Sequence, residues 1–525
     1  MAKKFITNIC GGVKRSDIRK VGLSDAVNMY LEEKDPTEQA FTLIMRSIDG
    51  CRTFCEPVGT PRGMFKVSRA YDGDNEPEVQ KTYGVWGNTL YLLEENNPVE
   101  IGTLATNSGV CHFCETGGYG SAHPHLIIVD GLNVYAVNTG VSVLNQRQQF
   151  LDHGTIKLPL RVNTNNIFIK PTHCAYLYGY LVVNDSGTDA FYTSYQYPFE
   201  TYAESDPEYY DLFRVDTIAF KDYGFVTYSE WQPDNTQALF ANGSRLFTFG
   251  SRSFQVFQYN NDVNNPFTSP DTAAQNIGIK AVNSLCGLGS VVCWLGASDV
   301  GNNGVYVNRG GVECERISTI EIENIIEDMA TQTDAIGQMW QEKQHIFYAL
   351  TFPDGNVTLV YDFLTGVWHK RATLGKMNAL EKWRYLFATM NENGKILFAD
   401  ENACVVLDKN KFTEHDGNLI LKKRVGGVIL SDYMNFVCDY VQIFTNNGQN
   451  QAIAESAKIT IRYSFDGATF SSIEQLPIGR IGQYDYETMF WLGAWGKFLT
   501  LEISCSEPCP FALMGIQFGG DAMEF

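Results

Sequence analysis

Ten Asn-Gly or Asp-Gly dipeptides punctuate this 525-residue chain, and they constrain its fold more than any other feature. Both dipeptides tolerate the positive φ angles of a type I′ turn, so each one indicates a tight hairpin between two strands. Short runs of β-branched and aromatic residues lie between them, as is typical of strands. Seven of the dipeptides begin at Asp72, Asp130, Asn242, Asn303, Asp354, Asn393 and Asp466. The pattern predicts a mainly β protein.

Four segments repeat one arrangement, in which a turn is followed by a polar residue and a short apolar strand. They are Gly87–Leu93, Asp130–Val137, Asn242–Phe249 and Asn393–Ala399. Their spacing is roughly 40 to 50 residues where it can be followed, which is about the period of four-stranded propeller blades. We therefore predict a β-propeller. An ordinary hairpin-rich β protein is the alternative.

Changes of pattern divide the chain into three predicted regions. An N-terminal arm covers residues 1–65, and the propeller covers residues 66–417. Residues 418–525 are predicted to form an attached C-terminal platform domain that resembles a β-sandwich. This prediction rests on the alternation of apolar and polar residues in Lys458–Ser464 and in Phe498–Ser504.

Two helices are predicted to interrupt the strands. Ile320–Met329 carries apolar residues at the spacing of one helical face, and Ser318 or Thr319 can cap it. We expect this helix to pack on the rim of a sheet or on a neighbouring subunit. In the N-terminal arm, Ser16–Glu33 can hold a short helix with Ser24 as its cap.

Charge and hydropathy exclude several functions. The 40 basic and 60 acidic residues give a formal charge of −20, whereas affinity for DNA phosphates needs clusters of Lys and Arg. The longest nearly apolar run, Leu285–Ala297, falls short of the ~20 residues that span a bilayer. Lys3 and Lys4 precede too short an apolar run for a signal peptide. We expect synthesis in a cytoplasm, with the 13 cysteines as free and mostly buried thiols.

Motifs of common enzymes and phosphate-binding loops do not occur in the sequence. One constellation fits a metal by spacing, since Cys111 and Cys114 form a C-x-x-C pair and His123 and His125 follow closely. Two thiolates and two imidazoles can complete a tetrahedral zinc site. The alternative is that all four are inert strand and loop residues, and we assign no catalytic, cofactor-binding or metal-binding residue.

Two further features have a functional interpretation beside a structural one. Ser464–Phe470 resembles the Asp-box turn of sialidase-like propellers but is one residue short before the glycine, and a hairpin with an Asp-Gly turn explains it fully. A glycosidase also needs two carboxylates across a sugar bond, and no pair stands out. Aromatic residues that can bind a sugar or a partner, or pack in the core, are Tyr192, Tyr195, Tyr197, Tyr202, Tyr209 and Trp231.

The order of motifs in the middle of the chain resembles one family. In chain order the segments are Leu246–Tyr259, Asn265–Phe267, Ser290–Gly296, Gly304–Val307 and Arg316–Thr319. The flanking segments Asn28–Tyr30, Thr60–Met64, Tyr463–Gly467, Pro477–Gly479 and Phe511–Ile516 fit as well. Together they resemble the tail-hub proteins of short-tailed, podovirus-like bacteriophages, which are also called tail-nozzle or packaged-DNA stabilisation proteins.

The resemblance implies a structural virion protein of the tail and no enzyme. Six copies would form a ring below the portal and the head-tail adaptor protein. The ring would retain packaged DNA, guide its ejection, support tail fibres or spikes, and hold a plug or needle protein. Genomic DNA would pass without sequence-specific contacts, because an acidic lumen repels phosphates. The alternatives are a glycan-degrading, sialidase-like propeller enzyme and a scaffold that binds carbohydrate or protein.

Overall fold

In the computed structural model of the chain, the described residues are 3–7, 9–15, 23–34, 43–70, 79–117, 124–156, 158, 169–196, 225–229, 231–262, 265–270, 274–298, 301–426, 429–430, 436–449, 456–496 and 498–522. Within these ranges, no helix has the length and apolar character needed to cross a bilayer. Six strands come first, namely β1 (Lys3–Thr7), β2 (Lys14–Arg15), β3 (Leu23–Val27), β4 (Met29–Glu33), β5 (Leu43–Ser47) and β6 (Gly50–Cys55).

Seven antiparallel sheets follow along the described part of the chain, and we call them blades 1 to 7. Blade 1 contains β7 (Pro61–Ala70), β8 (Val79–Trp86), β9 (Thr89–Glu94) and β10 (Asn97–Thr103). Blade 2 contains β11 (His112–Glu115), β12 (His125–Val129), β13 (Val134–Asn138), helix α1 (Val143–His153) and β14 (Thr155–Ile156). Blade 3 contains β15 (Cys174–Leu177), β16 (Tyr180–Asn184), β17 (Ala190–Gln196) and β18 (Phe225–Tyr228).

The remaining blades are built in the same way. Blade 4 contains β19 (Ala238–Asn242), β20 (Arg245–Phe249), β21 (Phe254–Tyr259), β22 (Phe267–Thr268) and β23 (Ala274–Gln275). Blade 5 contains β24 (Gly278–Ile279), a 3-10 turn (Val282–Ser284), β25 (Cys286–Leu288), β26 (Val291–Ser298), β27 (Gly301–Asn308) and β28 (Cys314–Arg316), and helix α2 (Ile320–Glu327) follows it. Blade 6 contains β29 (Ile336–Glu342), β30 (His345–Phe352), β31 (Val357–Asp362) and β32 (Val367–Leu374), followed by a 3-10 turn (Lys376–Asn378) and β33 (Leu380–Lys382). Blade 7 contains β34 (Leu386–Met390), β35 (Ile396–Asp400), β36 (Ala403–Asp408) and, from the N-terminal region, β6.

The seven blades close into a ring. Buried apolar side chains form a core between every two neighbouring blades, and the core between blades 7 and 1 includes Phe54, Trp86 and Leu397. Strand β6 completes blade 7 by pairing with β36, with Cys55 opposite Cys404. Blade 7 therefore closes the ring with one strand that precedes the other blades in the chain and three strands that follow them. The predicted mainly β fold with a β-propeller is confirmed.

The last strands form a two-layer platform on the propeller. They are β37 (Lys422–Val425), β38 (Ile429–Leu430), β39 (Phe436–Thr445), β40 (Lys458–Ser464), β41 (Glu474–Pro477), β42 (Thr488–Gly496), β43 (Phe498–Cys505) and β44 (Ala512–Ala522). One layer has the order β4-β5-β44-β39-β42, with β1 beside β44, and the other has the order β37-β43-β40-β41. Met29, Val441, Ile461 and Leu501 lie in the core between the layers.

One sheet continues from the propeller into the platform. Strand β3 pairs in parallel with β32 of blade 6, where Val27 lies opposite Lys370. The other edge of β3 pairs with β37 of the platform, where Ala26 lies opposite Arg424. The propeller and the platform are thus joined by backbone hydrogen bonds through an N-terminal strand. The predicted division into residues 1–65, 66–417 and 418–525 stays a prediction.

The turn dipeptides mark hairpins in most of the described places. Asn242-Gly243 and Asn393-Gly394 connect β19 to β20 and β34 to β35, and the positive φ angles of the two glycines, 61° and 72°, favour glycine there. The hairpin predicted at Asn303 is wrong, because Asn303-Gly304 lies inside β27. A side chain at position 304 would meet Arg316, Ser318 and Glu323, which explains the glycine without a turn. Asp72 lies outside the described residues.

One predicted helix is confirmed and the other is wrong. Helix α2 begins after Thr319, which is its N-cap, and it buries Ile322, Ile325 and Ile326 in the core between blades 5 and 6. The described part of Ser16–Glu33 forms β3 and β4 instead of a helix. Hydrogen bonding of β3 and β4 to four neighbouring strands outweighs the local helical pattern there, and Asn28 between the two strands has a φ of 54°.

Candidate functional site

The first strands of the blades surround a central channel. Strands β7, β11, β15 and β19 contact one another in this order, as do β25, β29, β34 and β7. The ring of Phe240 on β19 approaches Gly287 on β25 and closes the circuit. A propeller channel is the usual place to look for a ligand, because loops and strand ends of all blades converge there.

Apolar side chains fill much of this channel. The cavity that remains has a volume of about 420 Å³, and its lining includes Phe65, Phe113, Phe240 and Phe387. The rings of Phe65 and Phe113 stack with their centres 6.1 Å apart. No Asp or Glu is among the described residues that line this cavity. The channel is therefore a narrow space with a mixed lining, to which Lys66, Asn283 and Gln338 contribute polar groups, and it lacks the paired carboxylates that a glycosidase needs.

Two histidines stack beside the channel. The ring centres of His112 and His173 are 3.7 Å apart; His173 is buried and His112 is half-buried. Burial lowers the pKa of His112 to about 4, and burial together with the neighbouring His112 lowers the pKa of His173. Nε2 of His112 lies 3.4 Å from Oδ1 of Asn283. Both imidazoles are therefore neutral at neutral pH and add no positive charge to the channel wall.

The two thiols of the zinc hypothesis lie in different cores. Cys111 packs between blades 1 and 2, and Cys114 packs between blades 2 and 3, beside Cys174. Burial raises the pKa of Cys111 to about 12 and that of Cys114 well above its usual value, so both are protonated. His125 is buried at the start of β12, and His123 lies outside the described residues. Over the part of the chain that is described, no three His, Cys, Asp or Glu side chains are placed to hold a metal ion.

The segment that resembles an Asp-box is a local turn in the platform. Oδ1 of Asp466 accepts hydrogen bonds from the backbone N–H of Thr469 at 2.7 Å and of Ala468 at 2.8 Å. These bonds, with one from the Ser464 hydroxyl at 2.9 Å, hold the pKa of Asp466 well below its usual range. The carboxylate is thus engaged in stabilising its own turn between β40 and β41.

The aromatic candidates do not form one described surface. Tyr192 is buried in the core between blades 2 and 3. Trp231 is 46% exposed, and its Nε1–H donates to Oδ1 of Asn276 at 3.2 Å. Tyr195 lies on β17, and its side chain is not among those described. Outside the described residues are Tyr197, Tyr202 and Tyr209.

A charged cluster at the end of blade 7 was not predicted from the sequence. Arg384 binds Asp400 through Nε and Asp416 through Nη1, both at 2.6 Å. Glu414 is buried beside them, and burial raises its pKa to about 7. Since these residues are spread over 33 positions without a motif, only the fold brings them together. Both aspartates are ion-paired with the Arg384 guanidinium, so the cluster does not present a free pair of carboxylates.

Two residues in the segments that carried the resemblance have clear structural roles. Asn28 is fully buried where β3 ends, and its side chain bonds to blade 6 and to the platform segment. Arg62 is 2% exposed and its guanidinium donates five hydrogen bonds, which reach Gly87, Thr106, Ser108 and Gly109. Arg62 thereby shapes the loop that leads from blade 1 to blade 2.

Known structures resemble this chain only distantly. The WD40 propeller domain of Doa1 is 7% identical, with a TM-score of 0.36, over 68% of this chain and 96% of that chain. BBS1N in complex with ARL6DN is 8% identical, with a TM-score of 0.41, over 69% and 97%. Streptogramin B lyase is 10% identical, with a TM-score of 0.35, over 73% and 98%. A search of curated protein sequences gives no match.

A family model matches most of the chain. Its description is "Bacteriophage P22 Gp10, beta-propeller", and the match covers residues 26–411. It begins in β3, just before Asn28, and ends just after β36, so it includes all seven blades. Gp10 is a phage tail protein, which makes this chain a virion component. The chain belongs to the phage tail-stabilisation family of P22 Gp10.

Proposed function

We propose that six copies of this protein form the hub, or nozzle, of a bacteriophage tail. The ring binds the head-tail adaptor protein on one side, holds a plug or needle on the other, and carries tail fibres or spikes. It retains the packaged genome and guides it outwards during ejection. The protein acts mechanically and has no catalytic role.

The closed propeller channel is the observation that carries this proposal beyond the family. A DNA duplex, whose major groove alone is about 12 Å wide, does not fit into a cavity of about 420 Å³. DNA therefore has no path through a single chain. A tail protein of this shape reaches the genome only if several copies surround a common axis and leave the DNA path between them.

The connection of the propeller to the platform is suited to a protein that has to resist mechanical force. Strand β3 bonds to β32 on one edge and to β37 on the other, so a pull on the platform is shared by backbone hydrogen bonds. The formal charge of −20 also supports the proposal, because an acidic wall repels phosphates and lets DNA slide. The glycan-degrading alternative is less favoured, since the channel cavity offers no described carboxylate.

Electron microscopy of the purified protein tests the proposal. We expect six-fold rings with a central opening wide enough for a duplex, formed either by the protein alone or on addition of the adaptor protein of the same phage. Light scattering gives the mass, which should be a multiple of 58.9 kDa. A chain that stays monomeric with the adaptor present would contradict the proposal, and activity on a polysaccharide would favour the enzyme instead.

A further inference from the structure

We infer that Cys505 and Cys509 form a redox site in the platform, at which Lys422 activates Cys505 toward hydrogen peroxide. Both cysteines are free thiols in the structure. Cys505 is the last residue of β43, and Cys509 lies shortly before β44. These two strands belong to different layers of the platform, so the pair lies in the turn that joins the layers. The inference is independent of the proposed ring.

A buried lysine contacts this turn from the neighbouring strand. Lys422 begins β37 and lies opposite Cys505 in the pairing of β37 with β43. Its side chain is fully buried, and Nζ donates to the carbonyl oxygens of Glu507 at 2.7 Å and of Cys509 at 3.1 Å. The amine of Lys422 is therefore held against the turn that carries both thiols.

The buried ammonium group of Lys422 needs a negative charge close by. Carbonyl oxygens accept its hydrogen bonds but carry no net charge, and an unpaired buried charge is costly. The titratable groups that act on Lys422 are Cys505, Cys509 and Glu507, and the sulfur of Cys505 acts on it most strongly. Glu507 is half-buried in the surface part of the turn. Cys505, as a thiolate, is therefore the counter-charge of Lys422.

The second thiol supports the same assignment. Cys509 donates a hydrogen bond to the sulfur of Cys505, which lowers the pKa of Cys505, and Lys422 lowers that pKa further against the effect of burial. The pKa of Cys509 is raised, because its proton is held in this bond and its side chain is buried. Cys505 is thus the nucleophile of the pair, and Cys509 is the neighbouring thiol that can react with it after oxidation.

The position of the turn suits a small oxidant. Cys505 and Cys509 are 1% and 0% exposed, so a bulky disulfide cannot reach either sulfur in the closed turn. The segment between them lies at the surface, where Ser506 is exposed and Glu507 and Pro508 are half-buried. Local opening of such a short surface segment needs far less free energy than unfolding. It would admit a molecule as small as hydrogen peroxide.

The reaction balances with hydrogen peroxide as the oxidant. The Cys505 thiolate attacks one peroxide oxygen, the O–O bond breaks and hydroxide leaves, so that Cys505 becomes a sulfenic acid. The sulfur of Cys509 then attacks the sulfur of Cys505, and the S–O bond breaks. The departing hydroxide and the proton of Cys509 form water. The two sulfurs have then given two electrons to the peroxide, and a disulfide fastens the turn between the two layers.

A second cysteine pair offers a matched comparison within the chain. Cys55 and Cys404 lie opposite each other on β6 and β36, and both are buried. Burial and the neighbouring Cys55 raise the pKa of Cys404 well above its usual value. No Lys or Arg is among the described groups that act on Cys404. This pair therefore stays protonated and should react slowly, because the thiolate is the reactive form.

Treatment of the purified, reduced protein with hydrogen peroxide tests the site. We expect peptide mass spectrometry to show that the Cys505–Cys509 peptide loses about 2 Da, the two hydrogens of the thiols. At pH 7 this should be at least about tenfold faster than oxidation of Cys55 and Cys404. Cys509→Ser should stop at the sulfenic acid, which adds about 16 Da and reacts with dimedone. Oxidation of Cys505 no faster than that of Cys55 and Cys404 would overturn the inference.

A lysine variant tests the activation of Cys505. Lys422→Met removes the cation, so oxidation at pH 7 should slow at least about tenfold and reach half its maximal rate at a higher pH than in the wild type. Lys423→Met is the control, because Lys423 is half-buried on the same strand and lies opposite Ser504. It should leave the rate and its pH profile unchanged. Circular dichroism establishes that each variant is folded.

The outcomes separate activation from structure. An unchanged pH profile in a folded Lys422→Met variant would contradict the role of Lys422 and overturn the inference. Should Lys422→Met fail to fold, the comparison of the two cysteine pairs in the wild-type chain still decides, because it needs no substitution. None of these measurements depends on ring assembly, so the proposed hub stands or falls separately.

Discussion

Asn28 and Ala372 are joined by two hydrogen bonds that run in opposite directions. Nδ2 of Asn28 donates to the carbonyl oxygen of Ala372 at 2.8 Å, and the backbone N–H of Ala372 donates to Oδ1 of Asn28 at 2.9 Å. The same Nδ2 donates to the carbonyl of Leu421 at 2.9 Å. The Asn28 side chain thus forms hydrogen bonds between blade 6 and the platform segment that a strand backbone would otherwise form.

Replacing Asn28 by alanine should destabilise the protein strongly. Asn28→Ala leaves two buried backbone groups of Ala372 without partners, at about 1–3 kcal/mol each, removes a third bond to the part-buried Leu421 carbonyl, and forces alanine to a φ of 54°. We expect a lower melting temperature and earlier unfolding in urea. Asn96→Ala is a matched control, because Asn96 has a φ of 64° in an exposed turn. Equal losses for the two variants would contradict this role of the Asn28 side chain.

The five hydrogen bonds of Arg62 predict that lysine cannot replace it. Arg62→Lys keeps the charge, but one ammonium group cannot reach acceptors from Gly87 to Gly109. We expect a loss of several kcal/mol and faster amide hydrogen exchange in residues 104–110. Arg245→Lys should change little, because the described bond of Arg245 is a single one to the Gly310 carbonyl. Unchanged exchange in the loop would count against the prediction.

Glu414 should make the protein less stable as the pH rises. Its pKa is about 7 in the folded chain and 4.5 in the reference state, so between these values the folded chain holds a proton that the unfolded chain has released. Stability therefore falls as the pH rises from 4.5 to 7, by about 3 kcal/mol in total. Glu414→Gln should remove this fall and exceed the wild type in melting temperature at pH 8. The exposed Glu401→Gln is the control, and a stability curve of the Glu414→Gln variant that runs parallel to the wild type would refute the assignment.

His112 should make the protein less stable as the pH falls below 6.5. Its pKa is about 4 in the folded chain and 6.5 in the reference state, so between these values the unfolded chain binds a proton that the folded chain does not. Stability is lost as the pH falls from 6.5 to 4. His112→Phe keeps a ring on His173 but does not titrate, so its deficit against the wild type should shrink between pH 7.5 and 4.5. Urea midpoints at the two pH values measure this, and a constant deficit would speak against the prediction.

Local chemistry made part of the fold predictable. Asn242-Gly243 and Asn393-Gly394 form turns because glycine readily takes the positive φ angle found at each second position. Helix α2 follows from the apolar face that Ile322, Ile325 and Ile326 present to a core. The helix predicted within Ser16–Glu33 is wrong, because strands β3 and β4 pair with strands elsewhere in the chain. Lys423 and Arg46 are among the residues that lie opposite them.

Less of the candidate site than of the fold could be predicted from the sequence. The C-x-x-C spacing of Cys111 and Cys114 suggested a metal, but a strand places them on opposite faces, in separate cores. The resemblance identified the segments of Asn28 and Arg62 without revealing what either residue does. Asn28 bonds to residues more than 340 positions away, and no local pattern records such a partner.

The pairing of β6 with β36 also has a consequence for synthesis on the ribosome. Strand β6 is made early, but its partner opposite Cys55 is Cys404, which emerges only when most of the chain has been translated. Contacts between such distant positions form late and slowly. Blade 7 therefore closes last, and a translation product that stops before β36 keeps an open ring with an unpaired edge.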